Sequence, residues 1–178
     1  MRLFFALRPP PDAAQALAEW ARELARETGG KPVPAEKIHL TLAFLGDADP
    51  AKATAAASQV RCEAFDLPIE IAQFWKHNQI VWAGPRETPD PLDRLVNALQ
   101  LELYRAGFIL ERRPFAAHVT LLRKARAPMT LELPSVHWPA KEFLLVQSRA
   151  SREGLKYAPV ARFRLALKGG IASALPRE

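Results

Sequence analysis

Cysteine is almost absent from this chain of 178 residues, in which Cys62 is the only one. A single cysteine excludes an intramolecular disulfide, a thiolate cage for zinc and a redox pair, and it fits a reducing setting. No apolar run approaches the ~20 residues that a membrane-spanning helix needs. The sequence also lacks a signal-peptide cleavage site and a Gly/Ser linker. We therefore expect a cytoplasmic protein with no membrane partner, folded as a single domain over residues 1–178.

The charge of the chain is moderately positive, because 25 basic residues outnumber 19 acidic ones and leave a net charge of +6. This excess favours polyanionic partners such as nucleic acid. An ordinary basic protein would have the same balance, so charge alone leaves the partner open. The apolar fraction of 49% is sufficient for a substantial core.

Three helices are predicted from the spacing of apolar residues and from alanine content. In the first and third, apolar side chains recur three and four positions apart, and glycines follow the last turn. The second is favoured by its many alanines. The predicted spans run from a cap at Asp12 to Gly29 and Gly30, over residues 51–64, and from Asp90 to Gly107.

Seven strands are predicted between and after these helices, and the tail from Gly169 is expected to be ordered only in part. Many neighbouring strands are joined by segments too short for a parallel crossover. We therefore expect an α+β fold with mixed or antiparallel sheets rather than a doubly wound parallel sheet. The predicted strands cover residues 3–7, 38–45, 67–75, 79–83, 115–122, 141–147 and 161–167.

Two of these strands contain the same pattern of histidine, apolar residue, threonine and apolar residue, beginning at His39 and at His118. Because side chains alternate along a strand, each motif places His and Thr on one face, roughly 6–7 Å apart. Strict alternation also predicts Phe44 on the face opposite His39, and Leu122 on the same face as His118. The duplication suggests two similar halves that contribute one motif each.

A pair of histidines suits chemistry that needs an acid and a base together, because the unperturbed histidine pKa of ~6.5 lies near neutrality. Opening a cyclic phosphodiester is such a reaction: one group deprotonates water while the other protonates the departing oxygen. The hydroxyls of Thr41 and Thr120 could hold the phosphate oxygens as negative charge develops. Arg123, five residues after His118, could add a charge-assisted contact to the same phosphate.

Other interpretations of these residues are less favourable. A single His-x-Thr strand is usually structural, and the duplication argues against that interpretation. A zinc site would need a third ligand at a suitable spacing, and none is evident, so no metal is expected. His77 and His137 are interpreted as surface residues. The aromatic residues Phe5, Trp75, Trp82 and Phe115 are more typical of a core, although one of them could line a base pocket.

The sequence resembles the two-histidine (2H) phosphoesterase superfamily, and in particular the bacterial RNA 2′,3′-cyclic phosphodiesterases, also called 2′-5′ RNA ligases. The similarity covers most of the chain, and it departs from many relatives at Ala117, where they have proline. The segments that carry it are residues 2–7, 38–46, 115–123 and 145–148, together with Gly154, Tyr157 and the strand ending at Leu167.

The resemblance implies a bilobal fold of two pseudo-symmetric lobes, with mostly antiparallel sheets flanked by helices and the active-site cleft between them. It implies metal-independent hydrolysis of a 2′,3′-cyclic phosphate to a 2′-phosphate without a cofactor, with RNA ends or cyclic nucleotides as substrates. His118 would activate water and His39 would protonate the leaving oxygen. Thr41, Thr120 and Arg123 would bind phosphate, and Phe5 would lie near the nucleobase.

Two alternatives remain open from the sequence. The cleft could bind RNA ends or nucleotide phosphates without turnover, or it could catalyse the reverse reaction, 2′-5′ ligation. The oligomeric state is open too, and we expect a monomer.

Overall fold

The computed structural model describes residues 1–167, so the prediction for the tail from Gly169 lies outside the described residues. Within this range the chain forms three α-helices, one turn of 3-10 helix and ten β-strands. The helices are α1 (Pro11–Thr28), α2 (Pro50–Ala57) and α3 (Asp90–Arg105), and the 3-10 turn is Ala35–Lys37.

Eight of the ten strands form one sheet in the order β10-β9-β1-β3-β7-β6-β5, with β2 paired to β7; the other two pair with each other. All pairings between these named strands are antiparallel. The predicted α+β class with antiparallel sheets is therefore confirmed. The strands are β1 (Arg2–Leu7), β2 (Lys31–Pro32), β3 (Leu40–Asp47), β4 (Phe65–Asp66), β5 (Ile71–Trp75), β6 (Ile80–Gly84), β7 (Val119–Arg123), β8 (Pro139–Ala140), β9 (Glu142–Ser151) and β10 (Gly154–Arg164).

The large sheet consists of two halves that meet at one residue pair. The first half contains β10, β9, β1 and β3, and the second contains β7, β6, β5 and β2. Neighbouring strands within each half share several paired residues, whereas β3 and β7 are joined by Leu40 and Val119 alone. This is the bilobal arrangement that the sequence predicted.

One face of the sheet carries the main core. In β1 the side chains of Leu3, Phe5 and Leu7 are buried on that face, while Phe4 and Ala6 belong to a separate cluster on the other face. Helix α1 packs against β2 and β7, and α3 packs against β3 and α2. The helices therefore cover one face of the sheet and leave the other available for a site.

The helix boundaries differ from the prediction at two ends. Helix α1 begins at Pro11, its N-cap is Pro10, and Asp12 lies in the first turn instead of capping it. Proline suits this first position because it needs no N–H donor there. Helix α2 ends at Ala57, well before residue 64, and the hydroxyl of Ser58 donates to a helix carbonyl at that end.

Several predicted strands are shorter or displaced in the structure. The span 67–75 is reduced to β5, because Pro68 lacks the N–H group that a continuous ladder needs. Residues 115–118 lie outside β7. Residues 161–164 of the last predicted strand belong to β10, which starts at Gly154 and ends at Arg164, and residues 165–167 lie outside it.

A β-bulge in β3 changes which side chains face outwards. Phe5 and Ala6 in β1 pair with Ala43 and Thr41 in β3, so the residue between Thr41 and Ala43 has no partner in β1. A bulge of this kind reverses the alternation beyond it. Phe44, which strict alternation placed on the core face, is instead 47% exposed.

A second bulge has the same effect in β7. Trp82 and Val81 in β6 pair with Thr120 and Leu122, again leaving an extra residue between the two partners. Leu122, predicted on the face of His118, is fully buried in the core. The reversal brings the next residue, Arg123, back to the face that Thr120 occupies.

The buried stripe of α3 supplies a test of the core. Leu99 is fully buried, whereas Leu101 in the same helix is 49% exposed. We expect Leu99→Ala to lower the free energy of unfolding by about 2–5 kcal/mol, because it leaves a cavity. Leu101→Ala should change it by less than about 1 kcal/mol. Urea denaturation of both variants measures the difference, and equal losses would contradict this description of the core.

Candidate active site

The Leu40–Val119 pair brings the two histidine motifs together. His39 and His118 are the residues immediately before these partners, in strands that run antiparallel. Continuing the same register places His39 opposite Thr120 and Thr41 opposite His118. All four side chains then share the face opposite Leu40 and Val119. The two motifs are thus related by a local two-fold axis through the pair.

These residues line one cleft of about 590 Å³ on the open face of the sheet. Arg123 lines it as well, so five of the six predicted site residues are brought together. The cationic lining residues are Arg2, Lys37 and Arg123, and among residues 1–167 no carboxylate belongs to the lining. The electrostatic field of the cleft therefore favours an anion.

Each histidine is oriented by a backbone carbonyl two residues before it. His39 Nδ1 lies 2.7 Å from the oxygen of Lys37, and His118 Nδ1 lies 2.8 Å from the oxygen of Ala116. A carbonyl oxygen only accepts hydrogen bonds, so Nδ1 carries the proton in both rings. In the neutral form this leaves Nε2 as the proton-accepting atom on each ring.

Thr41 is directly coupled to the first histidine. Its Oγ1 lies 3.1 Å from His39 Nε2. When the imidazole is neutral, the hydroxyl donates to Nε2; when the imidazole is protonated, Nε2–H donates to the hydroxyl. Thr41 can therefore keep this hydrogen bond in either protonation state of His39.

Aromatic rings flank both histidines. The ring of Phe4 lies 5.0 Å from that of His39, and Tyr157 meets His39 edge-on at 5.5 Å. On the other side of the cleft, Trp75 lies 4.9 Å from His118. These rings restrict the imidazoles and give the cleft two apolar walls.

The predicted nucleobase contact at Phe5 is corrected by the structure. Phe5 is fully buried and packs against Phe143 and Phe163 in the core. Its side chain shares the core face with Leu7, since neighbouring positions in β1 alternate. The aromatic residue that lines the cleft is the preceding one, Phe4.

Comparison with known proteins places the chain in a family. Residues 7–82 match the family described as LigT like Phosphoesterase. The RNA 2′,3′-cyclic phosphodiesterase of Escherichia coli (strain K12) is 35% identical over 169 residues, which cover 92% of this chain and 96% of that protein. The chain belongs to the LigT-like phosphoesterase family. The RNA 2′,3′-cyclic phosphodiesterase of Thermus thermophilus is 31% identical, covering 93% of this LigT-like phosphoesterase and 90% of the relative.

Solved structures agree with this assignment. The apo form of E. coli LigT superimposes with a TM-score of 0.83 at 34% identity, covering 93% of this LigT-like phosphoesterase and 97% of that chain. E. coli LigT complexed with 3′-AMP gives the same TM-score and identity, covering 92% and 97%. The fold and the family that the sequence predicted are both confirmed.

Sequence reasoning missed several residues that shape the cleft of this LigT-like phosphoesterase. Among them, Gly84 at the end of β6 leaves space for the chain before His118, because a Cβ there would lie 2.8 Å from the oxygen of Ala117. A glycine within a strand often marks such an approach and could have been noticed. Other missed residues of the lining include Arg2, Phe4, Lys37, Phe44 and Tyr157.

Residues 1–167 of the LigT-like phosphoesterase show neither a metal-ligand cluster nor a membrane span. In this part of the chain, no group of three or more His, Cys, Asp or Glu side chains is arranged to hold a metal ion. None of the helices described here has the length and apolar character to span a bilayer.

Burial lowers the pKa of His39 below its ordinary value of 6.5. The hydrogen bond to the Lys37 carbonyl opposes this shift, while the positive charges of Arg123 and Arg8, and that of His118 when it is protonated, add to it. His39 in the free LigT-like phosphoesterase is therefore mainly neutral at pH 7. A bound anion would offset the surrounding positive charge and raise its proton affinity.

The lowered pKa of His39 predicts two effects of acidification. NMR titration of its Cε1 proton should give a midpoint below 6.5 that rises when inorganic phosphate is added. The unfolded chain protonates His39 more readily than the folded protein does. The free energy of unfolding should therefore decrease as the pH falls from about 6.5 through the pKa of His39 in the folded protein, and His39 should contribute nothing to the pH dependence above this range. In urea unfolding, His39→Asn should reduce this loss of stability at acid pH. An NMR titration midpoint above 6.5 for His39 in the absence of phosphate would contradict the lowered pKa.

Proposed function

We propose that this protein hydrolyses 2′,3′-cyclic phosphates on RNA ends or nucleotides to 2′-phosphates. The observation that carries the proposal is a pair of symmetry-related histidines, each with Nδ1 bound to a carbonyl, lining one cationic cleft. The names of the E. coli and T. thermophilus relatives and the 3′-AMP complex of E. coli LigT support the same substrate class.

Proton transfer is assigned to the two Nε2 atoms. His118 takes a proton from water as its oxygen forms a bond to phosphorus, and His39 donates a proton to the ribose 3′ oxygen as the P–O3′ bond breaks. The phosphate remains on the 2′ oxygen. His39 must be protonated at the start. Burial lowers its pKa and nearby positive charges add to that shift, so an anionic substrate, which offsets those charges, raises the proton affinity of His39.

Stabilisation of the five-coordinate phosphorus is assigned to the two threonines and Arg123. The non-bridging oxygens gain negative charge as water attacks, and preorganised donors in a partly desolvated cleft stabilise that charge. The hydroxyls of Thr41 and Thr120 lie on the face of the histidines, and Arg123 is turned towards them by the bulge in β7. None of these contacts requires a metal ion.

The departing ribose oxygen belongs on the His39 side of the cleft in this mechanism. That wall contains Phe4 and Tyr157, whose rings can contact the ribose and base. The opposite wall, at Trp75, faces the attacking group. If a 5′ hydroxyl of a second RNA end replaces water there, the same proton transfers form a 2′-5′ linkage.

The reaction is tested directly with a 2′,3′-cyclic nucleotide in the presence of EDTA. We expect turnover to a 2′-phosphate, because the acid, the base and the phosphate donors are all side chains of the protein. Phosphorus NMR distinguishes the 2′- and 3′-phosphate products. Absence of turnover, or formation of a 3′-phosphate, would refute the proposed reaction.

Replacement of each histidine tests the acid–base pair. His39→Ala and His118→Ala should each lower kcat by about 10²- to 10⁴-fold, since each removes one proton-transfer group. His137→Ala is the matched control: His137 is exposed, pairs with Asp66 and lies outside the cleft lining, so activity should not change. Circular dichroism checks that each variant is folded. Near-native activity in either cleft variant would rule out the paired mechanism.

A further inference from the structure

An exposed aromatic residue and an arginine lie together at one end of the cleft. The guanidinium carbon of Arg2 lies 5.6 Å from the centre of the Phe44 ring. Both residues line the same cleft as the histidines. A guanidinium held against an aromatic ring keeps its N–H edges free to donate to an anion.

The position of Phe44 follows from the local two-fold axis. Phe44 is five residues after His39, as Arg123 is five residues after His118. Each strand has a bulge just after its threonine, and each bulge turns this fifth residue towards the cleft. The place that Arg123 has in one half is thus taken in the other half by Phe44 with Arg2 beside it.

The charge of Arg2 is not used elsewhere in the described structure. Among residues 1–167, no carboxylate lies within ion-pair distance of its guanidinium. Asp47, its partner in the β1–β3 pairing, instead contacts the N-terminal ammonium of Met1 at 3.4 Å. Arg2 is therefore available to a ligand anion.

Arg2 is too far along the strand to serve the reacting phosphorus. It is four residues from Ala6, which pairs with Thr41, and four residues of strand span roughly 13 Å. The Phe4 wall, where the terminal nucleoside is placed above, lies between these two ends. The anion suited to Arg2 is therefore a second phosphate of the substrate, on the far side of the terminal nucleoside from the cyclic phosphate.

We propose that Arg2, supported by Phe44, binds the phosphate on the 5′ side of the nucleoside that carries the cyclic phosphate. This inference rests on the proposed function and narrows its substrate class. The favoured substrates are RNA ends, and cyclic nucleotides that bear a 5′ phosphate, over 2′,3′-cyclic nucleosides with a free 5′ hydroxyl. Arg2 is a specificity-determining residue that takes no part in proton transfer.

Three adenosine substrates separate the contribution of the 5′ phosphate from that of the cyclic phosphate. The first is 2′,3′-cyclic AMP with a free 5′ hydroxyl, the second carries an added 5′ phosphate, and the third is the dinucleotide ending in the same cyclic phosphate. In the native protein, kcat/KM should be about tenfold higher for the second and third substrates, through a lower KM, because each offers Arg2 a charged partner.

Arg2→Gln should abolish this tenfold preference, because it should lower kcat/KM for the second and third substrates much more than for the first. Phe44→Ala should reduce the preference in part, since the guanidinium loses its support. Arg22→Gln is the control: it removes the same charge from an exposed position of α1, outside the cleft lining, and should keep the full preference. A native preference that survives in Arg2→Gln, or equal kcat/KM for all three substrates in the native protein, would overturn the assignment to Arg2.

The outcomes distinguish this inference from the function on which it rests. If the first substrate is hydrolysed to a 2′-phosphate but a 5′ phosphate brings no gain, only the role of Arg2 fails. If none of the three substrates is hydrolysed, the proposed function fails with it.

Discussion

The single backbone pairing of Leu40 with Val119 is the constraint on which the site depends. It joins the two halves of the sheet and places the two histidine motifs in antiparallel register. Because each histidine immediately precedes its paired residue, both imidazoles lie on the same face, and that face is the one the helices leave uncovered. A one-residue slip of this pair would turn one motif into the core.

The aromatic neighbours of the two histidines and the burial of His39 make the two halves of this symmetric arrangement unequal. Both histidines use Nδ1 in the same way, yet His39 is enclosed by Phe4 and Tyr157 while His118 lies against Trp75. Burial and neighbouring cations lower the pKa of His39. Two chemically identical side chains are thereby given different surroundings, as a reaction with separate acid and base roles requires.

Much of this arrangement could be predicted from the sequence, because the repeated His-x-Thr pattern and the amphipathic spacing of the first and third helices are local signals. The prediction failed at Phe44 and Leu122 for a common reason: bulges depend on the pairing partner, which a single strand does not reveal. The resemblance implied that Phe5 lies near the nucleobase, but of two adjacent aromatic residues in a strand only one can face the cleft, and the neighbouring strands decide which. The predicted roles of His39, His118, Thr41, Thr120 and Arg123 in catalysis remain predictions for experiment.

The way the helices cross between the halves has a consequence for folding. Helix α1 follows β1 of the first half but packs against β2 and β7 of the second, while α3 follows β6 of the second half and packs against β3 of the first. Helices α1 and α3 thus cover strands of the half that they do not directly follow, whereas α2 follows β3 and contacts β10 within the first half. Because α1 and α3 cross in this way, separating the two halves would expose apolar surface, and burial of the core depends on contacts between distant parts of the sequence.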